Sequence, residues 1–232
     1  MEKSSEAVSQ VIKSVIELAK PGVNLLELEK RAETTMLLLG AVSANKGYHP
    51  KWASVPFPSA LCLGVNDVIA HGIPTDYVLK DGDLLTIDCG LIVDNLCGDA
   101  GITIPIGNLN SRDERLLRYT RRALYKGIEI IKPNVKVTEV GKAIESCANI
   151  NGFIVNKLLH GHGIGRQMHE EPGIPNIDIE QEMEIRIDDK GKKHYSYKDY
   201  NKIPVFYEGQ VVCIEPHLTY KDNIGERDSD GW

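Results

Sequence analysis

Asp88 and Asp99 stand eleven residues apart in the segment DLLTIDCGLIVDNLCGDAGITI. A hairpin turning about Val93 and Asp94 sets Asp88 directly opposite Asp99, with Ile87 facing Ala100 and Leu85 facing Ile102. Directly opposed residues on antiparallel strands hold their Cβ atoms roughly 4.5–5.5 Å apart. Two carboxylates that close repel, raise each other's pKa, or share a cation. Alternation supports the strands: Thr86, Asp88, Asp99, Gly101 and Thr103 fall on one face, and Leu85, Ile87, Ala100, Ile102 and Ile104 on the other. The same pattern fits two acids on a solvated sheet face, so the hairpin alone leaves both readings open.

Histidines widen the choice of chemistry. HGHGIGRQMHEEP carries His160, His162 and His169, and its HGI tripeptide recurs at His71. Glycines at 161, 163 and 165 argue against a helix, and so against a helical i, i+4 zinc pair; they also let backbone pass close to a ligand. A lone histidine is ordinarily structural or exposed, and His162 is set apart by its repeat of the His71 tripeptide. Glu215 closes the apolar run VVCI ahead of Pro216, where an unpaired buried carboxylate is costly. DGDLLTID at 81–88 matches EGQVVCIE at 208–215, which aligns Glu215 with Asp88 and makes a shared metal its partner. The set Asp88, Asp99, His162 and Glu215 is rich in oxygen, has one imidazole and lacks thiolate. That disfavours a structural zinc site and suits Mn²⁺, Fe²⁺, Co²⁺ or a catalytic Zn²⁺. Two such ions about 3.5–4 Å apart, sharing carboxylates and a water, generate hydroxide at neutral pH and polarise a carbonyl.

The elements that must position these residues are written twice. ELAKPGVNLLEL at 17–28 and EIIKPNVKVTEV at 129–140 each end one helix near Lys-Pro and begin another, with Glu27 and Glu139 in matching places. The HGI and DGDLLTID matches follow in the same order. Apolar residues at Val8, Val11, Ile12, Val15 and Ile16 predict a helix over 4–19, ended by Pro21-Gly22. A second is predicted over 25–39, with Asn24 as N-cap and Gly40 past its end. Residues 112–131 and 137–150 repeat the pair, and strands are predicted to dominate 61–105 and 153–217. The expectation is one α+β domain over 1–232, built of half-repeats 4–107 and 112–232 about a pseudo-two-fold axis. A site where they meet would draw one acid and one HGI histidine from each half. The first half carries extra sequence around GYHPKWASVPFPSA, and a charged stretch over 175–205 reads as a surface insertion.

Composition bounds the rest. The chain of 232 residues is 42% hydrophobic and 26% charged, ordinary for a globular protein with a real core. MEKSSEAVSQ has no apolar signal region, and no stretch approaches a membrane span. Five cysteines, Cys62, Cys89, Cys97, Cys147 and Cys213, form no C-x-x-C pair, and an odd number favours reduced thiols in the cytosol. A net charge of −6 argues against nucleic acid as the main ligand. The basic runs Arg118–Arg122 and Lys190–Lys193 read as solvated faces.

At VNDVIAHGIP, at GDLLTIDCG with GD following, at HGHGIGRQMHEEP and at CIEP, the chain resembles the type I methionine aminopeptidases. These share the pita-bread fold with prolidase and creatinase. The resemblance runs from about residue 3 to the last. It implies two pseudo-symmetric half-domains, with a curved antiparallel sheet flanked by helix pairs. It also implies that Asp88, Asp99, His162 and Glu215 bind metal, with Asp99 bridging, in a dinuclear site of Co, Mn, Fe or Zn. His169 would stabilise the tetrahedral intermediate at the scissile carbonyl, and His71 would lie by the scissile amide and position the substrate. Glu215 would shuttle a proton to the leaving amine. Tyr48, Cys62 and Trp232 would form the methionine pocket. The implied activity removes the initiator methionine from nascent chains in the cytoplasm, by a monomer in transient contact with the ribosome and with neither membrane nor specific nucleic-acid binding.

Several departures qualify that expectation. Asn45 stands where bacterial members commonly have cysteine, and Met168 where they commonly have phenylalanine, which changes the pocket wall. The residues near Pro50 to Pro58 and the 175–205 stretch are additions relative to short bacterial forms. The family ends with one more strand and a bridging glutamate, and Trp232 comes before it; the internal repeat asks for the same residue as the counterpart of Asp99. The expectation is a chain that naturally continues, with a degenerate homologue as the alternative; the four ligands present would hold one metal and leave the second site weakened. The competing functions are a prolidase-like peptidase and a peptide-binding pseudoenzyme.

Overall fold

The computed structural model describes residues 1–179, 203–221, 225 and 230–232. The Lys190–Lys193 run and the central part of the 175–205 stretch lie outside the described residues. The chain divides into two compact units, Met1–Arg115 with Ile164–His169 and Gly225–Trp232, and Leu116–Gly163 with Glu170–Ile224. The 164–169 loop and the last residues therefore belong with the first unit, which departs from a simple division at the repeat boundary.

In the first unit, helix α1 (Glu2–Leu18) buries Ala7, Val8, Val11, Ile12 and Val15, one face at helical spacing, and packs on the sheet beneath it. Helix α2 (Leu25–Leu38) starts at a capping box. Asn24 Oδ1 accepts the Leu26 N–H at 2.7 Å and Glu27 accepts the Asn24 N–H at 3.2 Å, satisfying two donors that the first helical turn leaves open. Gly40 follows the helix with φ of +65°, as predicted. Strands β1 (Val42–Ser43), β2 (Cys62–Val65), β3 (Leu84–Val93) and β4 (Leu96–Pro105) make an antiparallel sheet. β1 and β2 share one side of β3, and β4 runs along the other. Leu85, Ile87, Cys89 and Leu91 are fully buried under the helices.

The hairpin register differs from the sequence expectation by two residues. Asp88 pairs with Gly101 and Asp99 with Gly90, while Ile87 pairs with Ile102 and Leu85 with Ile104. The turn is Asp94-Asn95, with φ of 51° and 62°. A two-residue type I′ turn needs positive φ at both central positions, which Asp and Asn tolerate and β-branched Val93 resists. A shift of two leaves every side chain on its predicted face. Asp88 and Asp99 become diagonal neighbours, a relation that spans roughly 7–8 Å between strands rather than direct opposition.

In the second unit, helices α3 (Ser111–Ile130, whose first turn lies in the first unit) and α4 (Thr138–Ile150) repeat the helix pair. Gly127 lets them close: a Cβ there would stand 2.8 Å from Ile144 Cδ1. Short strands follow, β5 (Ile154–Val155), β6 (Gly161–Gly163), β7 (Glu170–Ile174), β8 (Val212–Cys213) and β9 (Leu218–Thr219). They form a β5–β9 pair and a β7–β6–β8 ladder, so among the described residues of 153–217 the predicted strand is realised in short pieces. The stretch read as a surface insertion has buried ends: Ile177, Ile179 and Ile203 join Phe153, Phe206 and Leu218 in this unit's core.

Candidate metal centre and substrate pocket

Within the first unit, the β3–β4 hairpin presents Asp88 and Asp99 on one face. Gly101 lies opposite Asp88 without a side chain; a Cβ there would be 3.7 Å from Asp88 Oδ1. Cys62 faces Asp88 from the other side, on β2. Its thiol is buried and hydrogen-bonds to Asp88, and burial, reinforced by the charges of Asp88 and Asp99, holds it well above the usual thiol range. Cys62 is therefore a neutral, inert wall rather than a nucleophile. All five cysteines are thiols rather than disulfides, with Cys62, Cys89, Cys97 and Cys147 buried, as expected for small core residues.

Gly90, opposite Asp99, makes room for the two departures noted in the sequence. A Cβ at Gly90 would collide with Met168 Cε and stand 2.8 Å from Asn45 Oδ1. Asn45 in turn donates to the Ala60 carbonyl at 3.3 Å. A glycine inside an otherwise apolar strand signals close approach by another group, and that signal in IDCGLIV was available in the sequence but not read. Tyr48 and His169 meet, Oη to Nδ1 at 3.1 Å with ring centroids 5.5 Å apart. The loop that brings Met168 and His169 is tied to β4: the Cys97 N–H donates to the Gly165 carbonyl at 2.7 Å.

His71 lies in the loop between β2 and β3 with φ of +55°, a left-handed backbone that histidine adopts more readily than most residues. Asp83 bolts the foot of that loop, accepting from Asn66 Nδ2 at 3.0 Å, Tyr77 Oη at 3.0 Å and the Lys80 N–H at 2.9 Å. Trp232 is buried against Phe57, Ala53 and Cys62, and its indole N–H donates to the Val55 carbonyl at 3.1 Å. The added segment around Pro50 to Pro58 is thus part of this wall. Its return is anchored by buried Glu29, whose carboxylate accepts the consecutive amides of Ala60 at 2.5 Å and Leu61 at 3.0 Å. Glu29, Phe57 and Trp52 were not singled out from the sequence; nothing local marks them, because their roles arise from contacts across the fold.

Within the second unit, His162 and Glu215 come together. Gly161 and Gly163 let β6 run against its neighbours, since a Cβ at Gly161 would strike the Cys213 carbonyl and one at Gly163 the Glu171 carbonyl. His162 Nδ1 lies 2.9 Å from the Gly163 carbonyl. A carbonyl only accepts, so Nδ1 carries the proton and a neutral ring offers a lone pair at Nε2. Nε2 is 3.2 Å from Glu215 Oε1. Two acceptors at that distance repel unless a proton or a cation joins them. The Glu215 main chain is held by Asn176 Nδ2 and by His217 Nδ1, both 3.0 Å from its carbonyl. Burial holds the His217 imidazole below its usual range, against the upward pull of Glu215. The two HGI tripeptides differ in local form: His162 is in a strand, and His71 in a left-handed loop position.

The site residues thus fall as Tyr48, Cys62, His71, Asp88, Asp99, His169 and Trp232 in the first unit and His162 and Glu215 in the second. Oxygen donors with one imidazole whose far nitrogen is fixed on a carbonyl fit a divalent cation of the first transition row.

Comparison with known proteins points the same way. The profile of metallopeptidase family M24 matches residues 1–231. A methionine aminopeptidase of Aquifex aeolicus is 37% identical over 231 residues, covering 99% of this chain and 83% of its own length. One from Helicobacter pylori strain 26695 is 35% identical over 232 residues, covering 100% and 83%. The crystal structure of a methionine aminopeptidase from Thermotoga maritima superposes with a TM-score of 0.83 at 29% identity, over 100% of this chain and 83% of that one. A prolidase from Pyrococcus furiosus shares the fold, with a TM-score of 0.70 at 22% identity, over 93% of this chain and 54% of its own.

Proposed function

The chain belongs to metallopeptidase family M24, and from that premise we infer that it is a methionine aminopeptidase of the pita-bread fold, cleaving methionine from peptide N-termini. Relatives bearing that name span nearly the whole chain at 35–37% identity, whereas the likeness to prolidase is one of fold.

The ligands of the metal are Asp88, Asp99, His162 and Glu215. The observation that carries this assignment is the His162–Glu215 pair: a ring locked with Nδ1 protonated turns Nε2 toward a carboxylate oxygen, an arrangement that a cation completes. Bound there, one or two divalent ions (Co, Mn, Fe or Zn) supply the Lewis acidity that activates water and polarises the scissile carbonyl.

The protein's own groups do the remainder. His169, oriented by the Tyr48 hydroxyl, donates to the oxygen of the tetrahedral intermediate. His71 positions the scissile amide, and Glu215 carries the proton to the departing amine. Tyr48, Cys62 and Trp232 hold the methionine side chain, which suits a wall with a neutral thiol and a buried indole. Met168 and Asn45, filling the space over Gly90, trim the same pocket. The protein acts in the cytoplasm as a monomer on chains leaving the ribosome. In support, the cysteines are thiols and four of them are buried, as a reducing compartment keeps them.

The test is hydrolysis of Met-Ala-Ser and of an Xaa-Pro dipeptide by protein reconstituted with Co²⁺ or Mn²⁺. Release of methionine from the tripeptide with little turnover of the dipeptide is expected; the reverse preference makes the chain a prolidase-like enzyme.

A further inference from the structure

His71 is enclosed by two indoles of the same unit. Trp52 stacks on its face, with ring centroids 5.6 Å apart and planes 29° from parallel. Trp232 meets it edge to face at 5.8 Å and 78°. The two indoles also meet each other at 5.0 Å and 72°, so the three rings form one packed set. Trp232 is buried and backed by Phe57. Trp52 differs: it comes from the added segment and keeps 45% of its surface exposed. An aromatic that served only to anchor the loop would resemble Phe57, which is 2% exposed. Trp52 instead offers its indole plane to an imidazole whose backbone is held in the left-handed region. Face stacking fixes the plane of a ring while leaving its nitrogen-bearing edge unobstructed by the stacking partner. A group that orients a substrate by hydrogen bonding gains when its own rotation is suppressed before substrate arrives.

We propose that Trp52 is a positioning residue for the aminopeptidase reaction, acting through His71: its indole holds the His71 imidazole in the plane from which that ring orders the scissile amide. The proposal rests on the role given to His71 above. It assigns function to a residue of the added segment, and it makes that segment part of the active-site wall.

The experiment combines kinetics with a spectroscopic readout on the metal-loaded full chain. Trp52→Ala, Trp52→Phe, His71→Ala and the Trp52→Ala/His71→Ala double variant are assayed on Met-Ala-Ser, with metal binding followed by calorimetry. Trp52→Ala is expected to lower kcat by about tenfold, the factor an aromatic pair's free energy represents, with unchanged metal affinity. Trp52→Phe, which keeps a stacking face, restores most of the rate. The double variant is expected to be no slower than His71→Ala, because the two residues act as one unit. In NMR spectra, the His71 ring protons should move downfield on loss of the indole ring current. A Trp52→Ala enzyme with full kcat and an unmoved His71 signal overturns the proposal, as do losses that multiply in the double variant. Full activity in His71→Ala overturns the role of His71 itself, and the proposal with it; loss of activity there beside a normal Trp52→Ala enzyme defeats the proposal alone.

Discussion

At the scale of single residues, two positions without catalytic chemistry decide how the site is shaped. Gly90 exists so that Met168 and Asn45 can occupy the space beside Asp99. Gly90→Ala forces those side chains aside, an overpacking that typically costs about 1–3 kcal/mol. Its kcat/KM on Met-Ala-Ser should fall, and adding Met168→Ala should recover part of the loss; a Gly90→Ala enzyme with unchanged kcat/KM would refute the close approach. Asn176 holds the carbonyls of Leu159 and Glu215 at 3.1 and 3.0 Å, tying the strand that brings His162 to the turn that brings Glu215. Supporting groups of this kind are worth about 10–100-fold in metal affinity. Calorimetric titration of Asn176→Ala should show that weakening, and unaltered affinity would remove Asn176 from the site. Gly90 carried a sequence signal, a glycine in an apolar strand, whereas nothing local marks Asn176, an asparagine near a polar stretch.

At the scale of elements, two separate carboxylates fasten the segment entering β2 and the loop that bears His71, with opposite pH signatures. Burial raises the Glu29 carboxyl above its ordinary 4.5, although the Ala60 and Leu61 amides oppose the shift. The stability it contributes is therefore full below pH 4.5 and declines as pH rises through the raised pKa. Burial pushes Asp83 up as well, but the Asn66, Lys80 and Tyr77 donors outweigh it and hold the carboxyl below 3.8. Its contribution is present above pH 3.8 and lost as pH falls through the lowered pKa. Denaturant melts across pH 3–7 should lose the first trend in Glu29→Gln and the second in Asp83→Asn. Glu29→Gln should also be destabilised by about 1–3 kcal/mol, because an amide oxygen replaces only one of two acceptors. Melts that keep both pH trends would contradict these anchors. The helices were legible in advance because apolar period, Asn24 and Gly40 are local signals. The hairpin was legible in its faces but not its register: period two fixes which side a residue takes, while the turn fixes its partner. Reading Asp94-Asn95 as the only neighbouring pair suited to positive φ would have given the register. Among the described residues of the second unit the strands are shorter than predicted, since apolar content alone does not show where a ladder breaks.

At the scale of the whole molecule, both members of the His162–Glu215 pair were singled out from the sequence, and the fold sets them 3.2 Å apart. The aromatic surroundings of His71 were not legible, since Trp232 comes to Trp52 and Phe57 from a distant position. A net charge of −6 gives a field that favours cations, whether metal ions or the ammonium of a peptide. A ligand bound by the folded chain alone stabilises it, by about 2.7 kcal/mol at a hundredfold excess over Kd. Thermal melts should therefore shift upward with Mn²⁺ or Co²⁺ and not with Na⁺ at matched ionic strength; coincident melts would speak against a native metal site. The most direct measurement is methionine release from Met-Ala-Ser by metal-reconstituted protein and by its Asp99→Ala variant, with bound metal quantified in both. Turnover and bound metal are expected in the first, and loss of both in the second. Equal methionine release by the two would contradict a metal centre at Asp99.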